Sequence, residues 1–170
     1  MSENFLYCPI VEFIINKKER RFMLSYKLCK SENEFNLTTI DDTVSFLHKH
    51  LEKFGDKPED IKKCIDYALR KDCGKGGFVL HAYYNNNLAG VLVMNTTGMS
   101  GFIPENILVY IAVDAKHRGQ GFGAQIINEA IKHVEGNIKL HVEYENPAKR
   151  LYERLGFTSK YAEMRFENKK

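Results

Sequence analysis

A helical period and a strand period alternate along the chain, and their succession predicts the elements. In residues 40–54 the apolar positions Val44, Leu47, Leu51 and Phe54 recur at helical spacing, with Thr39 or Asp41 placed to cap the N-terminus. Pro58, followed by Glu59 and Asp60, opens a second helix whose stripe is Ile61, Cys64, Ile65, Ala68 and Leu69 and which ends before Gly74. Residues 78–84 and 88–95 are strand-like runs, and Asn85, Asn86 and Asn87 between them tolerate the left-handed conformations of a hairpin turn. Residues 107–113 are almost wholly apolar, as in a strand buried on both faces, which places it centrally in a sheet. Ile126, Ile127, Ala130, Ile131 and Val134 give the next helix its buried face, and Gly136 stops it. Residues 138–144 alternate as a further strand. A short helix follows with Ala148, Leu151, Tyr152 and Leu155 on one side, and residues 157–166 are expected to hold one or two closing strands. Near the N-terminus, stretches 10–15 and 22–28, divided by Lys17-Lys18-Glu19-Arg20-Arg21, read as a hairpin or as two edge strands.

A strand–helix–strand crossover is right-handed and makes its strands parallel, whereas the preceding hairpin is antiparallel, so the sheet is mixed and the class is α/β in the broad α+β sense. With 170 residues the chain holds one domain, 1–170, with a full core, and 1–30 supply its N-terminal strands. A hydrophobic share of 44% against 28% charged residues is that of a soluble globular protein. No apolar run approaches the ~18 residues that span a bilayer, and the N-terminus carries Glu3 with no signal-peptide core, so the expected compartment is the cytoplasm, without membrane attachment. The cysteines Cys8, Cys29, Cys64 and Cys73 lack C-x-x-C spacing and read as reduced thiols. A net charge of +3 is too small to argue for nucleic acid, and the basic cluster reads as a solvated turn or strand end. The six histidines show no ligand spacing: His48 and His50 are two apart on one helix, and His81, His117, His133 and His141 are scattered, so no metal is expected.

The chemistry concentrates where the apolar strand meets glycine, in Ile111-Ala112-Val113-Asp114-Ala115-Lys116-His117-Arg118-Gly119-Gln120-Gly121-Phe122-Gly123-Ala124. Glycines at 119, 121 and 123 let the backbone adopt positive φ and lie close to a ligand, while unpaired N–H groups of the helix's first turn and the helix dipole favour an anion. Arg118 adds a fixed positive charge at this phosphate-binding turn.

The Arg-x-x-Gly-x-Gly spacing of 118–123 resembles the pyrophosphate loop of the GNAT family, N-acetyltransferases that use acetyl-CoA. About 25 residues on, Asn146-Pro147-Ala148-Lys149-Arg150-Leu151-Tyr152-Glu153-Arg154-Leu155-Gly156-Phe157 resembles the second signature of that family, a short helix ending in Leu-Tyr-x-x-x-Gly-Phe. The resemblance covers residues 77–167 and implies a mixed sheet splayed apart after the central strand. It implies that the backbone at Ile111 and Val113 pairs with the pantetheine arm, that Arg118, Gly119, Gln120, Gly121, Phe122, Gly123 and Ala124 hold the pyrophosphate, and that Asn146 bonds the arm or orders the start of the last helix. Family members often place that asparagine seven residues before the tyrosine, whereas Asn146 lies six before Tyr152, in a shorter Asn-Pro-Ala form. Tyr152 matches the tyrosine that acts as general acid on the departing thiolate. A phenol of pKa ~10 is a poor donor to a thiolate of pKa ~8.5, so a hydrogen bond to the developing anion is the alternative role.

The implied reaction is direct attack of a primary amine on acetyl-CoA, with a small molecule or a peptide as acceptor. Such an amine must first lose a proton, and Glu105, just before the central strand, is the first candidate base, with Glu143 second. The first two helices and the loop 96–105 would form the acceptor site, with Phe46, His50, Phe54, Met99 and Phe102 making it partly apolar. The alternatives are a module that binds acetyl-CoA without turnover, and an NAD enzyme, because Gly119-x-Gly121-x-x-Ala124 with Glu143 about 20 residues later also fits a dinucleotide fingerprint. Only one strand follows the motif helix, so the repeated units of a dinucleotide domain are missing. The acceptor's identity and the oligomeric state, a homodimer included, stay open.

Overall fold

The computed structural model describes residues 23–70 and 76–168. The stretch 10–15, the basic cluster 17–21, Cys8 and Cys73 lie outside the described residues. The chain divides into two compact units, 1–140 and 141–170, each described by itself.

The first unit carries one five-stranded sheet in the order β1-β2-β3-β4-β5, formed by β1 (Ser25–Cys29), β2 (Gly77–Tyr84), β3 (Asn87–Thr96), β4 (Asn106–Val113) and β5 (Ile138–Leu140). β1 through β4 are antiparallel, and β5 runs parallel to β4, the mixed sheet that the crossover predicts. Asn85 and Asn86 turn the β2–β3 hairpin with φ of 49° and 63°, values asparagine tolerates better than most residues.

Three helices cover this sheet: α1 (Ile40–Leu51), α2 (Pro58–Leu69) and α3 (Phe122–Ile131). Thr39 caps α1 in a reciprocal pair, its hydroxyl accepting from Asp42 N at 3.0 Å while Asp42 Oδ2 accepts from Thr39 N at 3.0 Å. A single 3-10 turn, Glu52–Phe54, occupies the end of the predicted first helix. On one sheet face Val44, Leu47, Ile61, Ile65 and Ala68 pack on Val79, Val91, Val93, Tyr110 and Ala112. The alternate β3 residues turn to the face of α3, where a Cβ on Gly90 would run into the tip of the buried Ile126 side chain, which would have to shift.

Two expectations about β4 change. β3 is the middle strand and is buried along most of its length, whereas β4 is fourth of five and alternates between buried and half-buried positions. The cause is a bulge together with a splay. Val93 pairs with Tyr110 but Met94 pairs with Leu108, so Val109 is an extra residue, and Val109 and Tyr110 both pack on the α1–α2 face. At the same place pairing with β5 ends, its three pairs running from Asn106↔Ile138 to Leu108↔Leu140.

In the second unit α4 (Lys149–Arg154) carries the predicted last helix, with Tyr152 buried and its ring 5.9 Å from that of Phe157. The closing strands expected in 157–166 do not form among the described residues, and Tyr161, Met164 and Phe166 are exposed. The further strand also stops at Leu140 rather than continuing to 144.

Candidate active site

β4 leads through Asp114 and a 3-10 turn, Ala115–His117, into the glycine turn that opens α3. Gly119 and Gly121 have φ of 75° and 83°, and a Cβ built on either meets nothing within 4 Å. Backbone conformation, with open space above it, therefore selects glycine at these two positions. Gly123, expected to share this property, is the second residue of α3 and has no positive φ. No side chain caps α3, so the first-turn amides at 122–124 face outward from an uncapped helix start.

Aromatic packing anchors the turn. His117 stacks on Phe122 with centroids 5.2 Å apart, and Tyr84 at the end of β2 meets both rings edge-on at 5.3 Å. Arg118, expected to add charge for the phosphates, donates from its guanidinium to Glu52 Oε1 at 2.8 Å and to the His50 carbonyl at 2.6 Å. His50 Nδ1 in turn accepts from Ala115 N at 3.3 Å. Arg118 thus ties the loop to the last turn of α1, and Glu52 sits at φ 56°, a left-handed value rare for its type. Gln120 donates to the Lys116 carbonyl at 3.1 Å.

Ile111 and Val113 lie half-buried on β4 opposite Leu92 and Gly90. They belong to the stretch Val109 to Val113, which apart from the bulged Val109 pairs with β3 on one side and which β5 leaves open on the other. Five strand residues give this edge roughly 16 Å of unpaired backbone leading to the glycine turn.

Glu105 precedes β4 at its other end. Its Oε2 accepts from Asn137 N at 2.7 Å, and that backbone bond holds the carboxyl below the usual glutamate range. Glu105 forms part of the wall of a pocket of about 430 Å³, floored by buried Phe78 and Met94 and flanked by Thr96, Asn106 and His133. Met99 also lines it, whereas Phe102 is exposed and Phe46 packs on the α1–α2 core.

In the second unit, burial pushes the Tyr152 phenol up to about 12, so the hydroxyl stays protonated throughout the neutral range. Asn146 Oδ1 accepts from Ala148 N at 2.9 Å, which orders the start of α4, the second of the two roles the resemblance left open.

Periodicity missed three features. Glu52 gives no helical or strand signal yet holds Arg118. Asp56, in the α1–α2 connection, accepts a 2.6 Å hydrogen bond from the Tyr110 hydroxyl. The third is the close approach at Gly90, for which an isolated glycine in a strand run was the available signal; Glu52 and Asp56 offered none.

The sequence matches the family model described as acetyltransferase (GNAT) family over residues 41–157. The match takes in α1 and α2, ahead of the segment that the motifs alone cover, and stops at Phe157. No curated protein sequence matches the chain significantly. Among solved structures, a GNAT-family acetyltransferase from Streptococcus pneumoniae TIGR4 superposes with a TM-score of 0.62 at 15% identity, over 87% of this chain and 100% of the other. An aminoglycoside N-acetyltransferase in complex with CoA gives 0.62 at 12% identity, over 86% and 95%. A ribosomal-protein-alanine N-acetyltransferase from Brucella melitensis biovar Abortus gives 0.58 at 14% identity, over 86% and 100%. At such identities the likeness shows the fold, a mixed sheet flanked by helices. Among the described residues no helix is long and apolar enough to cross a membrane. With the family model matching more than half of its length, the chain belongs to the GNAT family of acetyltransferases.

Proposed function

We propose that the protein transfers an acetyl group from acetyl-CoA to a primary amine, on a small molecule or a peptide, by direct attack. One observation carries this reading: an open strand edge, freed from β5 after Leu108, runs into a turn with two positive-φ glycines and an uncapped helix start. An extended arm would pair with the backbone at Ile111 and Val113, and the pyrophosphate would take the amides of 119–124. Arg118, bound to Glu52, keeps the turn in place and leaves anion recognition mainly to the backbone.

Tyr152 is the proposed partner of the departing thiolate. With its phenol pushed up to about 12, full proton transfer is costly, and the role that fits is a hydrogen bond to the developing negative charge. Tyr152→Phe removes one hydroxyl and keeps the ring's packing on Phe157. The expected result is a fall of kcat of roughly tenfold to a hundredfold with an unchanged acetyl-CoA dissociation constant. Wild-type turnover in this variant would reduce Tyr152 to a core residue.

A lysine-like amine of pKa ~10.4 must be deprotonated at pH 7, a cost of about 4–5 kcal/mol. Glu105 is proposed to take that proton through a chain of waters, a reading supported by its place on the pocket wall and by its ionised state. Glu105→Gln is then expected to lower kcat/KM most at neutral pH and to recover as rising pH deprotonates the amine in solution. A pH-independent loss would assign Glu105 to holding Asn137 instead.

A further inference from the structure

The end of α1 lies against the turn that leads into the glycines, and His50, one residue before that end, holds the turn twice. Its carbonyl accepts from the Arg118 guanidinium at 2.6 Å, and its ring Nδ1 accepts from Ala115 N at 3.3 Å. Ala115 opens the 3-10 turn after β4 and Arg118 caps it, so the two bonds fix both ends of that turn. The ring is itself packed on Phe46, one helical turn earlier, with centroids 4.5 Å apart. Glu52 completes the contact by pairing with Arg118 at 2.8 Å, and does so from left-handed backbone at φ 56°, a strained conformation for a glutamate.

The bond from Ala115 dictates the state of the ring. A backbone N–H donates only to an unprotonated nitrogen, so Nδ1 is bare, the proton sits on Nε2 and the imidazole is neutral. Protonation would set two N–H groups against each other and add a cation beside Arg118. Burial is the largest influence on His50 and lowers its pKa below 6.5; Lys49 and Arg118 act in the same direction, while Asp114 and Glu52 oppose it. Asp114 is engaged by Lys116, its Oδ1 accepting from Lys116 N at 3.0 Å and its Oδ2 lying 3.3 Å from Lys116 Nζ. The neighbouring histidines are turned elsewhere, His48 to the Asp56 carbonyl and His117 to the Phe122 ring.

We propose that His50 is a positioning residue of the cofactor turn, whose neutral ring must hold Ala115 for acetyl-CoA to bind tightly, so that affinity falls as acidification protonates the ring. This rests on the acetyl-CoA reading. The ring's bond falls on Ala115, ahead of the amides of 119–124 that would take the pyrophosphate, so His50 acts on the ligand through the shape of the turn. A protonated ring would also attract the phosphates, an effect of opposite sign that salt screens, and at roughly 0.15 M salt the loss of the anchor prevails.

The test is calorimetric titration of acetyl-CoA at about pH 7.5 and about pH 5.5, in roughly 0.15 M salt, into the wild type, His50→Asn and His50→Phe, each checked by circular dichroism to be folded at both values. Asparagine offers Oδ1 near the place of Nδ1 and takes no proton, whereas phenylalanine keeps the packing on Phe46 and removes the acceptor. On acidification the wild type is expected to lose roughly fivefold or more in affinity beyond the loss seen in His50→Asn, a coupling of ordinary size. The ligand's phosphates and His81 are common to all three proteins, so their titration cancels in the comparison. His50→Phe should bind weakly already at the neutral value and share the shallow pH dependence of His50→Asn. A wild type whose pH dependence equals that of His50→Asn, or whose affinity rises on acidification relative to it, overturns the inference, as does His50→Phe binding as tightly as the wild type at the neutral value; each leaves the acetyl-CoA reading standing. Absence of acetyl-CoA binding by the wild type at the neutral value overturns that reading and this inference with it.

Discussion

Replacing Gly121 with Asp abolishes the thermal stabilisation that acetyl-CoA confers on the wild type. At a concentration 100 times its dissociation constant, a ligand that binds only the folded state stabilises it by about 2.7 kcal/mol, a shift easily read in a melting curve. Gly121 is the N-cap of α3 with φ 83°, and the space above it is open. An aspartate carboxylate would occupy that space, repel the pyrophosphate and compete for the first-turn amides that would bind it. Gly121→Ala separates charge from strain. Its methyl group meets nothing within 4 Å, so it carries only the left-handed backbone penalty of about 1–2 kcal/mol and should lower the Tm of the free protein while keeping most of the ligand-induced shift. An undiminished shift in Gly121→Asp would remove this turn from the cofactor site.

Helices α1 and α2, the β2–β3 hairpin and the strand–turn–helix unit were legible because each is written in local chemistry: a threonine cap, a proline start, an asparagine turn, glycines before an apolar stripe. The splay of β4 was legible only through the family resemblance, and the bulge beside it was not legible, since nothing in the run Ile107 to Val113 distinguishes Val109 from its neighbours. Long-range partners were the least accessible. The bonds Arg118–Glu52 and Tyr110–Asp56 join residues 66 and 54 positions apart, and neither Glu52 nor Asp56 belongs to a motif. The Glu105 reading illustrates the same limit. Sequence placed the residue just before β4, but the bulge at Val109 breaks its phase with Ile111 and Val113, and its hydrogen bond to Asn137 depends on where α3 ends.

Acidification weakens the fold through His81, a residue that the sequence marks only as one of four scattered histidines. Its ring is 1% exposed, between β1, β2 and α1. Thr43 spends its hydroxyl hydrogen on the Thr39 carbonyl at 2.8 Å, so His81 Nε2–H donates to Thr43 Oγ1 at 2.9 Å. Nδ1 then faces the buried Cys29 thiol at 3.9 Å, and the imidazole is neutral. Burial, reinforced by the Lys27 charge, lowers its pKa from 6.5 to about 4. Between these values the unfolded chain binds a proton that the folded chain refuses. Stability from this residue is therefore complete above the unfolded value and is lost as pH falls through the window towards the folded one. The expected loss from pH 8 to pH 5 is about 2 kcal/mol, read as a fall in the urea midpoint before most carboxylates titrate. His81→Gln should start less stable and show a flatter profile over this range. An identical slope in the two proteins would show that His81 titrates normally and that its burial is relieved in solution.

The account as a whole stands on transfer of an acetyl group from acetyl-CoA to an amine. The direct measurement is thiol release from acetyl-CoA by the purified protein, with and without a panel of primary amines, followed by mass spectrometry of the amine. The account predicts release that requires both protein and amine, with each thiol matched by one acetylated amine. Saturable acetyl-CoA binding with no amine-dependent thiol release across mono-, di- and polyamines, amino acids, aminoglycosides and peptide N-termini would contradict it and leave a protein that binds the cofactor without using it.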